Sequence, residues 1–227
     1  TSESLQPEAL TEYLNEYFSE MTQIALEYGA TIDKYIGDAM MLFFGDPDTR
    51  GVAEDAIACV EMAVKMQNRM RVLGDQWKKR GFETPFVIRI GINTGYCNVG
   101  NFGSEERLSY TIIGGEVNIA QRLESNAEPG GILMSYETYA HVKHLYSAEE
   151  KPSMHLKGIS REIKTFALRD RIDAAQETLT WSHPAGVQIN VSPDKMDSRS
   201  REELASQLAD IARQLGHYEA PQPTSKI

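Results

Sequence analysis

Residues 31–45 read TIDKYIGDAMMLFFG, two β-prone runs around the dipeptide Gly37-Asp38. Gly-Asp between such runs signals a two-residue hairpin turn. The strands can offer Ile32, Ile36, Met41, Phe43 and Phe44 to a core. Yet the hairpin carries two charges, Lys34 and Asp38, at and near its turn. A charge beside a core is costly unless it is paired, solvated or bound to something. Local chemistry alone accounts for each, since Asp is a common turn former and an edge-strand Lys can snorkel to water. Binding to a ligand is the other account, although turn formers dominate such positions.

The flanking segments are helices. Leu10, Leu14, Tyr17, Phe18, Met21, Ile24 and Ala25 recur at three- and four-residue steps, which predicts a helix over 7–28 with Pro7 in its first turn and Gly29 as its stop. A second amphipathic helix is predicted over 54–79, where Ile57, Val60, Met62, Val64 and Met66 form a stripe suited to core packing. FVIRIGIN (86–93) reads as a strand, TGYCNVGNFGS as a short strand with turns, and RLSYTII (107–113) as another strand. A short helix over 115–127, a strand in GGILMS and a helix in YETYAHVKHL follow, with SMHLKG and REIKTFALR as a closing hairpin. Beyond about residue 173 the pattern weakens to polar, Pro-bearing sequence with one helix over 201–215. This order predicts an α+β fold, with helices on a largely antiparallel sheet. A compact βαββαβ plan opens on a strand, whereas this sequence opens on a helix.

The 227 residues carry a net charge of −10 and have a pI near 5.0. That excludes a general grip on DNA or RNA, which needs a basic face. It leaves room for a small anionic substrate held by a few focused cations. The longest apolar stretch, 39–45, is too short to cross a bilayer. No charged-then-apolar leader opens the sequence, so the expected location is cytoplasmic. The two cysteines, Cys59 and Cys97, make no bridge framework or metal-ligand spacing, and read as small buried hydrophobes in a reducing compartment.

Gly91, Gly95, Gly100 and Gly103 fit neither a Walker loop nor a dinucleotide fingerprint, and turns or bulges explain them better. In YTIIGGEVNIAQRLES, Asn118 and Arg122 lie four apart on one helical face. Such a pair can be a surface hydrogen bond or a fork aimed at a sugar and a phosphate. Lys157 is a lone basic residue before a turn. The five histidines (His141, His144, His155, His183 and His217) show no metal-ligand spacing.

Four segments in order, GATIDKYIGDAMMLFFG, IRIGINTGYCNVGNFG, YTIIGGEVNIAQRLES and LKG…IKTFAL, resemble the catalytic domain of class III adenylate cyclases, the bacterial members above all, from about Pro7 to Leu168. The resemblance implies a ferredoxin-like βαββαβ palm over residues 1–172, with 173–227 as a C-terminal extension. It implies conversion of ATP to 3′,5′-cyclic AMP and pyrophosphate, assisted by two divalent cations, Mg²⁺ or Mn²⁺. By the same resemblance Asp38 is one of two metal-bridging aspartates. Lys34 contacts adenine with Thr111 as its partner, Asn118 orients the ribose, Arg122 stabilises charge on the α-phosphate, and Lys157 binds the outer phosphates. Lysine is donor-only and suits adenine N1 while opposing guanine N1–H; Thr111 can accept from adenine N6 but could also donate to guanine O6. Guanylate cyclases of the family tend to carry Glu and Cys at these two positions.

The family's other metal aspartate lies in a Phe-x-Asp-Ile-like segment on the opening strand, and nothing similar is found here. The expectation is that this first strand is missing from the sequence, because losing it from the protein would expose a sheet edge. Family sites form between two domains, so a homodimer with two equivalent sites is implied, with an upstream regulatory or membrane domain possible in a longer parent. Two rival readings are a guanylate cyclase and a catalytically inactive, nucleotide-sensing dimerisation module.

Overall fold

The computed structural model describes residues 7–156, 158–172, 179–183, 187–191 and 198–216. The chain divides into two compact units, residues 1–172 and 173–227. In the first, α1 (Pro7–Glu27) leads into the hairpin β1 (Thr31–Ile36) and β2 (Ala39–Phe43), then α2 (Val52–Lys79) and β3 (Ile90–Ile92). The ribbon β4 (Asn98–Ser104) and β5 (Arg107–Ile113) precedes α3 (Gly115–Asn126), β6 (Ile132–Ser135) and α4 (Tyr136–Val142). The long strands β7 (Tyr146–Met154) and β8 (Ile163–Arg171) close the unit. In the second unit, β9 (Leu179–His183) pairs antiparallel with β10 (Val187–Val191), and α5 spans Ser198–Gly216.

The α1–α2 pair forms around one aromatic cluster. Trp77 is fully buried, and Tyr13 stacks on Phe82 at 4.9 Å between ring centroids. Met21, Ile24, Met66, Met70 and Leu73 fill the rest, and Ile32, Met40, Leu42 and Phe44 of the hairpin segment pack against them. Polar contacts fix the register of the two helices: Arg69 forks onto Glu20 at 2.7 and 2.6 Å, and Trp77 Nε1 donates to Glu16 at 3.0 Å. Tyr13 belongs to this core although the expected stripe omits it, while Ile36, expected inside, is 57% exposed next to the turn. Of the α2 stripe, Val60, Met62 and Met66 are buried, with Ile57 and Val64 packed at its margin.

The main sheet has the order β3-β6-β8-β7, with β3 parallel to β6 and the other pairs antiparallel. The expected α+β palm is present, but its β-structure is split. The 31–43 hairpin and the β4–β5 ribbon are each two-stranded sheets of their own. The hairpin and β3, joined through α2, are not hydrogen-bonded to each other among the described residues.

Three local expectations change. Strand character in 86–93 is confined to Ile90–Ile92, because the Ile88 carbonyl accepts from Gln67 Nε2 and the Gly130 amide rather than from a strand partner. The closing hairpin is longer than predicted, since β7 begins at Tyr146 through the polar run SAEEK. The β9–β10 hairpin was not expected: Pro184, Gly186 and dense polar residues obscure the alternation in LTWSH and VQINV.

Burial, with added repulsion from the charges of Asp38 and Tyr35, pushes the Tyr17 phenol up to about 12. Burial alone pushes the Cys59 thiol up to about 12. Both groups stay protonated in the fold at pH values where they ionise once unfolded, so they release protons on unfolding. Stability should therefore fall by about 1.4 kcal/mol per pH unit per group, from about pH 9 for Cys59 and about pH 10 for Tyr17, up to about pH 12. Urea unfolding at pH 8, 10 and 11 will show this, and Tyr17→Phe should flatten the alkaline decline. An unchanged slope in that variant would remove Tyr17 from the effect.

Candidate active site

The hairpin turn closes as expected, with Gly37 at φ +63°, a left-handed conformation that L side chains rarely adopt. The strands are not regular. Thr31 pairs with Phe43 and Ile32 with Leu42, but the next pair is Lys34 with Met41, so Asp33 is the extra residue of a β-bulge. A bulge re-aims side chains that regular alternation would send to opposite faces. Here both neighbours reach one atom. Lys34 Nζ donates to Thr111 Oγ1 at 3.0 Å, and Thr111 Oγ1 donates to Asp33 Oδ2 at 2.8 Å. Lys34 Nζ and Asp33 Oδ2 are 3.8 Å apart, with the Asp33 side chain fully buried and that of Lys34 46% exposed.

Thr111 is the buried residue of β5, opposite Gly100 in the β4–β5 ladder. The segment after the hairpin ties the same strand down further. Thr31 Oγ1 donates to the Asp46 carbonyl at 2.6 Å, and the Tyr110 hydroxyl donates to the Asp46 carboxylate. Away from this anchor the ribbon is open, with Phe102, Leu108 and Ile113 all exposed, and the anchored Tyr110 is exposed too.

One residue beyond β5, α3 buries Ile119 and Leu123 completely and turns Asn118 and Arg122 outward. A close backbone approach sets its position. A Cβ added at Gly91 would lie 2.1 Å from the Glu124 amide nitrogen and 2.3 Å from the Ala120 carbonyl. Gly91 therefore serves strand–helix contact, not the turn or bulge expected of it, and Gly100 and Gly103 likewise sit within β4. The Asn118 and Arg122 side chains share one face and make no hydrogen bond or ion pair among the described residues.

Asp38 is exposed at the turn, near the Tyr17 phenol whose ionisation it opposes. Its carboxylate has no hydrogen-bond or ion-pair partner among the described residues, which leaves it free to take a cation. No group of three His, Cys, Asp or Glu among those residues could hold a metal. This part of the chain thus supplies one carboxylate and not a closed metal centre. Lys157 lies outside the described residues. Burial pushes the Cys59 and Cys97 thiols up, with the Glu116 charge adding to it at Cys97, yet both are partly exposed rather than the buried hydrophobes expected. The structure joins Lys34 to Thr111 directly; no hydrogen bond joins Asp38, Asn118 or Arg122 to that pair. Asp33 is the site residue that sequence reasoning missed. Its neighbour Lys34 drew attention as a charge near a turn, but a bulge leaves no mark in an unaligned sequence.

Residues 1–170 match the model of the adenylate and guanylate cyclase catalytic domain. The chain belongs to that family. The solved adenylyl cyclase CyaB from P. aeruginosa is 51% identical with a TM-score of 0.72, over 74% of this chain and 86% of that one. The guanylyl cyclase Cya2 is 33% identical with a TM-score of 0.68, over 74% of this chain and 84% of that one. Adenylate cyclase 1 of Rhizobium meliloti (strain 1021) is 30% identical over 181 residues, 78% of this chain and 26% of its own length. This cyclase domain thus spans about a quarter of that relative. Among the described residues no helix is long and apolar enough to cross a membrane.

In this cyclase domain the Thr111 hydroxyl is the hydrogen-bonded partner of a fully buried carboxylate. Thr111→Val should lower stability by about 1–3 kcal/mol, the cost of leaving a buried acceptor unmet, while Thr111→Ser retains most of it. Urea unfolding measures both. A valine variant as stable as the parent would mean that Asp33 is satisfied in some other way.

Proposed function

We propose that the protein is an adenylate cyclase, forming 3′,5′-cyclic AMP and pyrophosphate from ATP at a homodimer interface. The observation that carries this reading is the Lys34–Thr111 contact at 3.0 Å, between residues 77 positions apart in sequence. An ammonium has protons to give and no lone pair to offer. It can donate to adenine N1, whereas guanine N1–H meets it proton to proton. An unpaired donor of that kind typically costs about 1–3 kcal/mol, enough to set a base preference.

The remaining roles follow the sequence resemblance. Asn118, exposed and uncommitted, orients the ribose. Arg122, on the same face of α3, stabilises the charge that builds on the α-phosphate. Lys157 binds the outer phosphates. The ribose 3′-oxygen bonds to the α-phosphorus as its proton passes to solvent water. The bond from that phosphorus to the β-bridging oxygen breaks, and pyrophosphate departs with the electron pair. Asp38 is one ligand of the divalent cations, Mg²⁺ or Mn²⁺. When bound, such ions neutralise phosphate charge and make the 3′-hydroxyl easier to deprotonate.

Support for the homodimer comes from the β4–β5 ribbon. A two-stranded ribbon is marginal by itself, and this one exposes Leu108 and Tyr110 on one face and Phe102 and Ile113 on the other, apolar surface that a protein partner can cover.

The first test is product formation by the full chain from ATP and, separately, from GTP, with Mg²⁺ or Mn²⁺. Cyclic AMP should exceed cyclic GMP by at least about tenfold; equal or greater cyclic GMP would make the protein a guanylate cyclase, the reading that its 33% identity to Cya2 keeps in play. Asp38→Ala should abolish turnover without shifting the unfolding midpoint, and retained activity would remove Asp38 from the site. Specific activity should rise with protein concentration as dimers form. A flat profile down to dilutions where sizing finds only monomer would refute the shared site.

A further inference from the structure

We infer that Asp33 adds to the adenine preference that Lys34 gives this site by fixing which way the Thr111 hydroxyl points. A threonine hydroxyl has one proton to give and two lone pairs to accept with. Here the chemistry of its two neighbours leaves no choice of direction. The Lys34 ammonium cannot accept, so at 3.0 Å it donates to Thr111 Oγ1 and occupies one lone pair. The Asp33 carboxylate cannot donate, so at 2.8 Å it takes the hydroxyl proton. The other acceptor within reach, the Ile112 carbonyl at 3.5 Å, would use the same proton. One lone pair is left for a nucleobase, and no proton.

Such a hydroxyl can accept from the N6 amino group of adenine. It cannot donate to guanine O6, so two acceptors would face each other. Threonine alone would tolerate both bases; threonine held by Asp33 accepts only adenine. The bulge is the structural means, because it brings the consecutive side chains of Asp33 and Lys34 onto one oxygen. The arrangement is not explained by stability. The Asp33 side chain is fully buried, and its Oδ1 has no hydrogen-bond partner among the described residues, which makes this carboxylate expensive to keep. Asp33 is thus a positioning residue that acts on the base through Thr111.

The inference rests on the adenylate cyclase reading, and its test separates the two. The measured quantity is the ratio of kcat/KM for ATP to kcat/KM for GTP in the full chain, which a general loss of folding or activity leaves unchanged. Asp33→Ala, or Asp33→Leu as a closer fill of the same space, frees the hydroxyl proton and should lower the ratio about tenfold, largely by improving GTP. Combined with Thr111→Val, the same Asp33 substitution should change the ratio no further, since no hydroxyl remains to orient. Thr111→Val by itself should cost ATP more than GTP.

A wild-type enzyme without adenine preference overturns the proposed function. An ATP-to-GTP ratio that Asp33→Ala and Asp33→Leu leave as high as in the wild type overturns this inference and leaves the function standing. So does an Asp33 effect that persists in the valine background. If neither Asp33 variant folds, equal losses for ATP and GTP in Thr111→Val would show a hydroxyl that serves both bases, and would overturn it too.

Discussion

The 31–43 hairpin is the piece on which the candidate site depends, and it is gripped from two sides. Two strands and a tight turn are marginal in water. Ile32, Met40 and Leu42 anchor it to the aromatic core between α1 and α2. Thr111 of β5 anchors it by hydrogen bonds to Asp33 and Lys34. The first contact is non-directional and supplies most of the stabilisation. The second is directional and sets where the charges stand. Lys34 in β1 and Asp38 at the turn belong to one hairpin, so placing the hairpin places both.

The other half of the site is placed by backbone contact. The α3 helix lies so close to β3 that only glycine fits at position 91, and the buried Ile119 and Leu123 hold its rotation. Asn118 and Arg122 are then presented outward without partners among the described residues. Packing thus satisfies the apolar residues and leaves a short set of polar ones uncommitted. Uncommitted polar groups on rigid elements are what binding and catalysis need, because they can engage a nucleotide without first breaking an internal bond.

Much of this was legible beforehand for identifiable reasons. The long helices declare themselves through apolar residues at three- and four-residue steps, and Gly37-Asp38 declares a hairpin. Asn118 and Arg122 share a face simply because helical periodicity puts them there. Errors arose where neighbours outvoted local pattern. Phe86–Arg89 looks like a strand but turns the Phe86 and Ile88 side chains to the α1–α2 core and the Ile88 carbonyl to the Gly130 amide. The polar start of β7 and the Pro-flanked β9–β10 hairpin lack the alternation that marks a half-buried strand. Ile36 reads as core and lies in solvent because it adjoins the turn.

What the sequence determined by itself was the long helices and the 31–43 hairpin, the α+β class, the acidic net charge and, through four ordered motifs, the family. Those depend on residue type and on separations of a few positions. What only the tertiary structure decided was the hydrogen-bond polarity around the Thr111 hydroxyl. Asp33, Lys34 and Thr111 converge on one oxygen because a one-residue bulge and a contact spanning 77 positions coincide. A shift of one residue in register reverses the facing of a strand's side chains. Register is settled by the whole packed molecule, so no local pattern could have announced it.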